Sequence, residues 1–217
     1  MIRALIFDFD GVIAESVDVK TEAFRELFKD YPDSADAIEK FHLDNGGMSR
    51  YDKFRHIYAN ILKQELPGER FSELCGSFHK LVVDKVVEAP FVEGCIEVLD
   101  LCSGKYPMYI VSGTPEGEMK EIVKRRALEG YFLEIYGSPD SKTRSIRKIL
   151  VDNGFKPEEV LFIGDSKNDL QAAEETGVIF IARAVDEEED WLRSESVKTS
   201  FPDLRGVEDY IETHNHI

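Results

Sequence analysis

At 217 residues the chain has room for one generous domain, or for a core carrying an insert, and is long enough to bury a substantial apolar interior. Hydrophobic residues make up 42% of it, and acids outnumber bases 43 to 27 for a net charge of −16. That is an ordinary globular composition with an acid bias, and a field of that sign repels nucleic-acid phosphates and anionic lipid.

Ile2 to Phe7 is short, apolar and followed by an Asp and Gly turn cluster, the pattern of a buried strand. With Asp8 and Asp10 following directly, this segment does not read as a secretory leader, and no run approaches the ~18 apolar residues of a membrane span. The expectation is a soluble, cytoplasmic protein. From Val17 to Val87 only helical spacing appears, with Phe54, Ile57, Tyr58, Ile61 and Leu62 in one stripe and Phe71, Leu74, Cys75, Phe78, Leu81 and Val82 in another. Strand patterns resume at Met108 to Val111, weakly at Phe132 to Tyr136, then at Val160 to Ile163 and Val178 to Ala182, each joined to a helical pattern.

Punctuation supports this alternation. Thr114 with Pro115 reads as a helix cap, Ser141 opens a helix that ends near Asn153 and Gly154, and Gly177 closes one that starts near Lys167. The prediction is an α/β fold: a Rossmann-like, doubly wound parallel sheet formed by residues 1–14 and 89–217, with an inserted all-helical cap, residues 15–88, over the sheet's active edge. The acidic run Asp186 to Asp190 reads as a solvated helix face, and His42, His56, His79, His214 and His216 as solvated or helix-packing. Cys75, Cys95 and Cys102 form no CxxC pair and stand beside no histidine cluster, which argues for reduced, buried thiols.

Asp8-Phe9-Asp10-Gly11-Val12 follows the first strand, and alternation there sends Asp8 and Asp10 to one side while Phe9 faces away. Two such carboxylates repel unless a divalent cation lies between them or one stays protonated. A second acidic cluster, Gly164 to Asp169, follows the strand at Val160 to Ile163 in the same manner, so acids remote in sequence meet at one sheet edge, and hard oxygen donors suit Mg²⁺. Ser112, Gly113 and Thr114 after another strand, and Lys142 at a helix start, supply hydroxyls, backbone N–H groups and a point charge for an anion.

Taken together, these four elements resemble the motifs of the haloacid dehalogenase superfamily, in its phosphatase and phosphomutase branch with a helical cap. The resemblance implies a phosphoric monoester hydrolase in which Asp8 is the nucleophile and Asp10 the general acid and base, with Ser112, Gly113 and Lys142 holding the phosphoryl group. It further implies that Asp8, Asp10 (through its backbone carbonyl) and Asp165 hold Mg²⁺, while Asp169 orients Lys142 or metal-bound water or ligates directly. An acid at position 10 argues against dehalogenase and phosphonatase chemistry.

Gly47-Met48-Ser49-Arg50 is similar to the specificity loop of beta-phosphoglucomutases, whose Arg grips the substrate's second phosphate; Arg50 is either that cation or an exposed residue at a helix start. Lys20 stands where such mutases have a histidine, and Glu15 where an Asp is more usual; Lys20 either holds Asp10 deprotonated or contacts substrate. The expected function is therefore Mg²⁺-dependent hydrolysis of a small phosphorylated metabolite, with no nucleic-acid or membrane partner. The alternatives are a sugar phosphomutase and a non-catalytic phospho-acceptor module. No GxxxxGK[ST], GxSxG or HExxH motif occurs.

Overall fold

The computed structural model of the chain describes residues 1–186 and 189–215, the side chain of Asn215 excepted. Six strands, β1 (Ala4–Phe7), β2 (Met108–Pro115), β3 (Glu134–Ser138), β4 (Val160–Gly164), β5 (Ile179–Arg183) and β6 (Val197–Phe201), pair in parallel in the order β3-β2-β1-β4-β5-β6. Around them run α1 (Val17–Leu27), α2 (Ala35–Asp44), α3 (Arg50–His56), α4 (Gly68–Glu88), α5 (Cys95–Cys102), α6 (Glu116–Arg125), α7 (Lys142–Asn153), α8 (Lys167–Thr176) and α9 (Arg205–Asn215).

β1 is a continuous apolar run because it is covered on both faces. Leu5 and Phe7 join a cluster that includes Leu99 of α5, Met119 and Val123 of α6, and Val207 of α9. Ala4 and Ile6 join the opposite cluster with Ile146 and Ile149 of α7 and Leu170 and Ala173 of α8. The sheet is thus the doubly wound α/β arrangement that the alternation predicts. Strand order reverses between β1 and β4, whose register pairs Phe7 with Ile163, and such a reversal opens a crevice at the strands' carboxyl ends.

Between β1 and α5 the described residues form helices and no strand. Helix α3 runs on into a single π-type stretch, Ile57–Leu62. Aromatic contacts join the four helices: Phe24 meets Phe78 at 5.1 Å and Phe54 at 5.6 Å between ring centroids, and His42 of α2 stacks on Phe24 at 4.3 Å. Each such pair adds about 0.5–1.5 kcal/mol beyond the area it buries.

Both chain crossings between this insert and the sheet are tied together. The Glu15 N–H donates to the Pro90 carbonyl at 2.9 Å, and the Val92 N–H to that of Ile13 at 3.1 Å. Arg126, just beyond α6, donates to the carbonyls of Val86, Val87 and Ala89 at 2.7, 2.9 and 2.7 Å and lies over the Phe91 ring. Arg183 pairs with Glu15 at 2.7 Å and reaches the Gly11 carbonyl at 3.3 Å.

Several expectations need correction. Thr114 does not cap a helix: β2 continues through Pro115, α6 begins at Glu116, and the Thr114 hydroxyl is spent elsewhere, as described below. Strand β6 escaped detection because Val197-Lys198-Thr199-Ser200-Phe201 is a half-exposed edge with no apolar run. In the acidic run, Glu187 and Glu188 lie outside the described residues, and Asp190 opens only a short 3-10 turn, Asp190–Arg193, rather than a helix face. Cys95 and Cys102 are buried free thiols, as read, with burial pushing them up to about 12 and about 11, while Cys75 is half-buried. Among the described residues no helix is long and apolar enough to cross a membrane.

Candidate active site

The chain leaves β1 at Asp8, whose N–H donates to the Ile163 carbonyl at 2.9 Å and so sets its carboxylate beside the tip of β4. The Phe9 N–H closes on Asp8 Oδ1 at 2.7 Å, and the Phe9 ring turns into the core. Gly11 has φ 79°, and a Cβ there would lie 1.9 Å from Asp165 Oδ2; only glycine lets this turn press against the β4 loop.

Asp10 faces the same cavity as Asp8 but in different company. Ser16 donates to Oδ1 at 2.7 Å, while Lys20 and the Thr114 hydroxyl both donate to Oδ2, the latter at 3.3 Å; Lys20 also donates to Thr114 Oγ1 at 2.8 Å. Burial pushes this carboxyl up, but the Lys20 charge and the Lys20, Ser16 and Thr114 hydrogen bonds outweigh it and hold Asp10 below its ordinary value. Of the two roles open for Lys20, the geometry therefore matches keeping Asp10 ionised.

Lys142 opens α7 behind Ser141, whose hydroxyl accepts from the Arg144 N–H at 3.2 Å and caps the helix as read. Its ammonium donates to Asp8 Oδ2 at 2.7 Å and to Asp169 Oδ1, and Asp169 Oδ2 accepts from Ser166. Oxygens of Asp8, Asp165 and Asp169 all lie within 4.8 Å of one another. Burial, with Asp169 and Asp10 adding to it and Lys142 opposing, pushes Asp8 up to about 7. Burial together with Asp8 and Asp169 pushes Asp165 well above the usual carboxylate range. Lys142 is raised, since its two carboxylate partners more than offset its burial.

Three carboxylates grouped this closely make a donor set that fits a divalent cation. Both oxygens of Asp8 and both of Asp169 already accept a hydrogen bond, whereas Asp165 accepts none among the described residues; Asp165 is thus the uncommitted hard oxygen donor beside Asp8, a chemistry suited to Mg²⁺. The Asp10 carboxylate is committed to Lys20, Ser16 and Thr114, which leaves its backbone carbonyl, the atom the resemblance implies, as its donor to a metal.

Ser112 is buried, and its hydroxyl accepts from the Thr114 N–H at 3.1 Å. The loop preceding α3 is seated directly on this end of the sheet. A Cβ on Gly113 would lie 2.3 Å from the Gly47 carbonyl oxygen, and one on Gly47, at φ 71°, would lie 2.7 Å from Ser166 Oγ and 3.0 Å from Lys142 Nζ. Asn168 donates to the Gly46 carbonyl. Gly47 and Gly113 thus allow backbone-on-backbone approach over Lys142.

From the opposite side come α3 and α2. Arg50, expected either as a free cation for substrate or as an exposed helix-start residue, is neither. It is buried, donates through both terminal nitrogens to the Glu118 carboxylate of α6, and stacks on Phe78 at 4.3 Å. His79 makes a further contact to Glu118 Oε2 at 2.8 Å. Lys53, one turn along α3, is 4% exposed and donates to His42 Nδ1 at 2.9 Å and to the His42 carbonyl at 3.0 Å. Between these side chains and the strand tips lies a cavity of about 420 Å³, within the range of small-molecule sites.

Sequence reasoning missed Ser16, Glu118, His42 and Lys53, while Thr114, read as an anion-site hydroxyl and helix cap, bonds Asp10 instead. For Lys53 a signal existed. Arg50, Lys53, Phe54, Ile57, Tyr58 and Ile61 share one helical stripe, so two cations interrupt a face that otherwise packs. The histidine expectation was too coarse, because His42 lines the cavity and His79 touches Glu118, while His56 and His214 do stack, on Phe41 and Tyr210; His216 lies outside the described residues.

Comparison with known proteins adds three findings. The family model described as haloacid dehalogenase-like hydrolase matches residues 5–183. Among curated proteins, a 5'-nucleotidase of Pseudomonas aeruginosa is 30% identical over 223 residues, covering 97% of this chain and 96% of its own. Phosphoglycolate phosphatase 1 of the same organism is 26% identical over 182 residues, 81% of this chain and 67% of its own. Among solved structures, a haloacid dehalogenase-like hydrolase of Streptococcus pneumoniae superposes with TM-score 0.73 at 25% identity, over 97% of this chain and 98% of that one. The fold is likewise that of Rhodobacter sphaeroides CbbY solved with phosphate, TM-score 0.74 at 17% identity over 94% and 95%.

Proposed function

Since the chain belongs to the haloacid dehalogenase-like hydrolase family and is a phosphoric monoester hydrolase, we propose that it is a Mg²⁺-dependent phosphatase of small phosphorylated metabolites, acting in the cytoplasm through an aspartyl-phosphate, with residues 15–88 as a cap that selects the substrate. The observation that carries this reading is the Asp8 carboxylate at the tip of β1, flanked by Lys142 at 2.7 Å and crowded by Asp165 and Asp169.

In this reading Asp8 attacks phosphorus as the bond to the leaving oxygen breaks, and the leaving oxygen takes a proton from the cluster of Asp10, Lys20 and Thr114. Water then attacks the phosphorus of the acyl phosphate and gives its proton to Asp10, releasing inorganic phosphate and the Asp8 carboxylate. An Asp10 held ionised by Lys20 suits that second step. Lys142 follows charge from Asp8 to the phosphoryl oxygens, and Asp169 aims it; Gly113 lines the cavity, and the buried Ser112 next to it would complete the phosphoryl pocket. Asp8, Asp165 and the Asp10 carbonyl would hold Mg²⁺, which when bound neutralises phosphoryl charge.

Hydrolysis is favoured over mutase chemistry by one contact. A mutase must grip a second phosphate, and Arg50, the residue for that grip, is neutralised by Glu118. The test is a panel of phosphate monoesters with and without Mg²⁺, run beside Asp8→Asn. Expected is metal-dependent release of phosphate over many turnovers, reduced at least ~10⁴-fold by the substitution. Unaltered hydrolysis by the variant would remove Asp8 as nucleophile, isomerised sugar phosphate without phosphate release would establish the mutase, and a single turnover would establish a phospho-acceptor.

A further inference from the structure

The cations facing the cavity are not equivalent. Lys20 is committed to Asp10 and Arg50 to Glu118, while Lys142, beneath the cavity, is committed to Asp8 and Asp169, and Lys167 is exposed to solvent. Lys53 is buried, lines the cavity, and has no carboxylate partner among the described residues. A buried ammonium with no counter-charge is costly and calls for an anion from outside the chain.

We propose that Lys53, oriented by His42, is a specificity-determining residue that pairs with a carboxylate on the leaving portion of the substrate. The proposal rests on the phosphatase reading and deepens it by naming the substrate class, phosphate monoesters that carry a carboxylate close to the phosphoryl group. The donor count supports a carboxylate over a second phosphate. An ammonium has three N–H donors; one goes to His42 Nδ1 and one to the His42 carbonyl, which leaves a single donor for the ligand. One donor and one positive charge match a singly charged oxyanion, whereas a dianionic phosphate would need Arg50 as well, and Glu118 holds it.

His42 acts through Lys53 as a positioning residue. Its ring is clamped on Phe24 at 4.3 Å, and burial with Lys53 and Lys20 alongside lowers it to about 3, so it stays neutral and Nδ1 accepts. Burial and the neighbouring Lys20 and Lys142 charges pull Lys53 down to about 7, against Asp10 and Asp165. A bound carboxylate favours the charged amine and is itself favoured by it.

The experiment compares kcat/KM for phosphoglycolate with that for phosphoglycolamide, nearly equal in shape and lacking the charge. The wild-type protein is expected to prefer the acid by ~10–100-fold, the yield of one hydrogen bond between charged groups. Lys53→Gln is expected to bring that ratio to within about threefold, mostly through KM for the acid, and Lys53→Arg to keep most of it. A merely structural lysine would lower both substrates together and leave the ratio intact, which overturns the proposal. A wild-type ratio near one overturns it without any variant, so a variant that fails to fold does not rescue it. Hydrolysis of neither compound, nor of any other monoester, would instead remove the phosphatase reading.

Discussion

On the sheet side of the cavity three carboxylates, Asp8, Asp165 and Asp169, crowd within 4.8 Å around one ammonium, Lys142. On the helical side Lys20 of α1 is answered by Asp10, while Arg50 and Lys53 share one turn of α3 and Glu118 answers only the first of these two. One wall is short of positive charge, the other of negative. A ligand that brings a metal-bound phosphoryl group to the first and a carboxylate to the second satisfies both, although the chain as a whole repels anions at a net charge of −16. Attraction here is a matter of a few placed groups rather than of the overall field.

Three substitutions break or sharpen this contrast. Lys142→Ala removes the ammonium that bridges Asp8 and Asp169, and kcat is expected to fall ~10²–10³-fold, as when one preorganised donor to a developing charge is deleted; a loss below ~10-fold in initial-rate assays would mean that Lys142 serves only to hold the carboxylates together. Glu118→Gln leaves Arg50 buried without its partner and is expected to cost about 3 kcal/mol in denaturant unfolding, at the low end for such pairs because Phe78 still covers the guanidinium. A cost under about 1 kcal/mol would show that Arg50 reaches water easily and that the helical wall opens.

The smallest effect concerns pH. His42 is held at about 3 in the fold against 6.5 when unfolded, so below 6.5 the unfolded chain binds the extra proton and the folded state loses stability as pH falls toward 3. The slope is up to about 1.4 kcal/mol per pH unit. Asp8 and Asp165, raised in the fold, act in the opposite sense, so the measurement is the difference between wild type and His42→Gln from pH 6.5 to 5, expected to reach about 2 kcal/mol. Parallel curves would mean that His42 protonates freely.

What could be read from the sequence followed local rules. The strands at Met108, Val160 and Val178 announce themselves as apolar runs, and Asp8, Asp10, Lys142 and Asp165 stand at strand or helix ends, where an α/β sheet gathers ligands. What escaped depends on partners remote in the chain. Glu118 meets Arg50 across 68 positions and Thr114 meets Asp10 across 104, and no spacing rule reports such pairs. Edge strand β6 was missed for a different reason, since a half-exposed strand has no need of the apolar run that marks a buried one.

The fastening of the two crossings by Arg126, by Arg183 and by the Glu15 to Pro90 bond has a mechanical corollary. With both strands of the hinge laced at one point, the helical half has an axle rather than a loose tether. A rotation of the helical half about that seam would part the tip carrying Gly46 and Gly47 from Asn168, Gly113 and Lys142, on which it is seated. Such an opening would uncover Lys142, over which Gly47 lies.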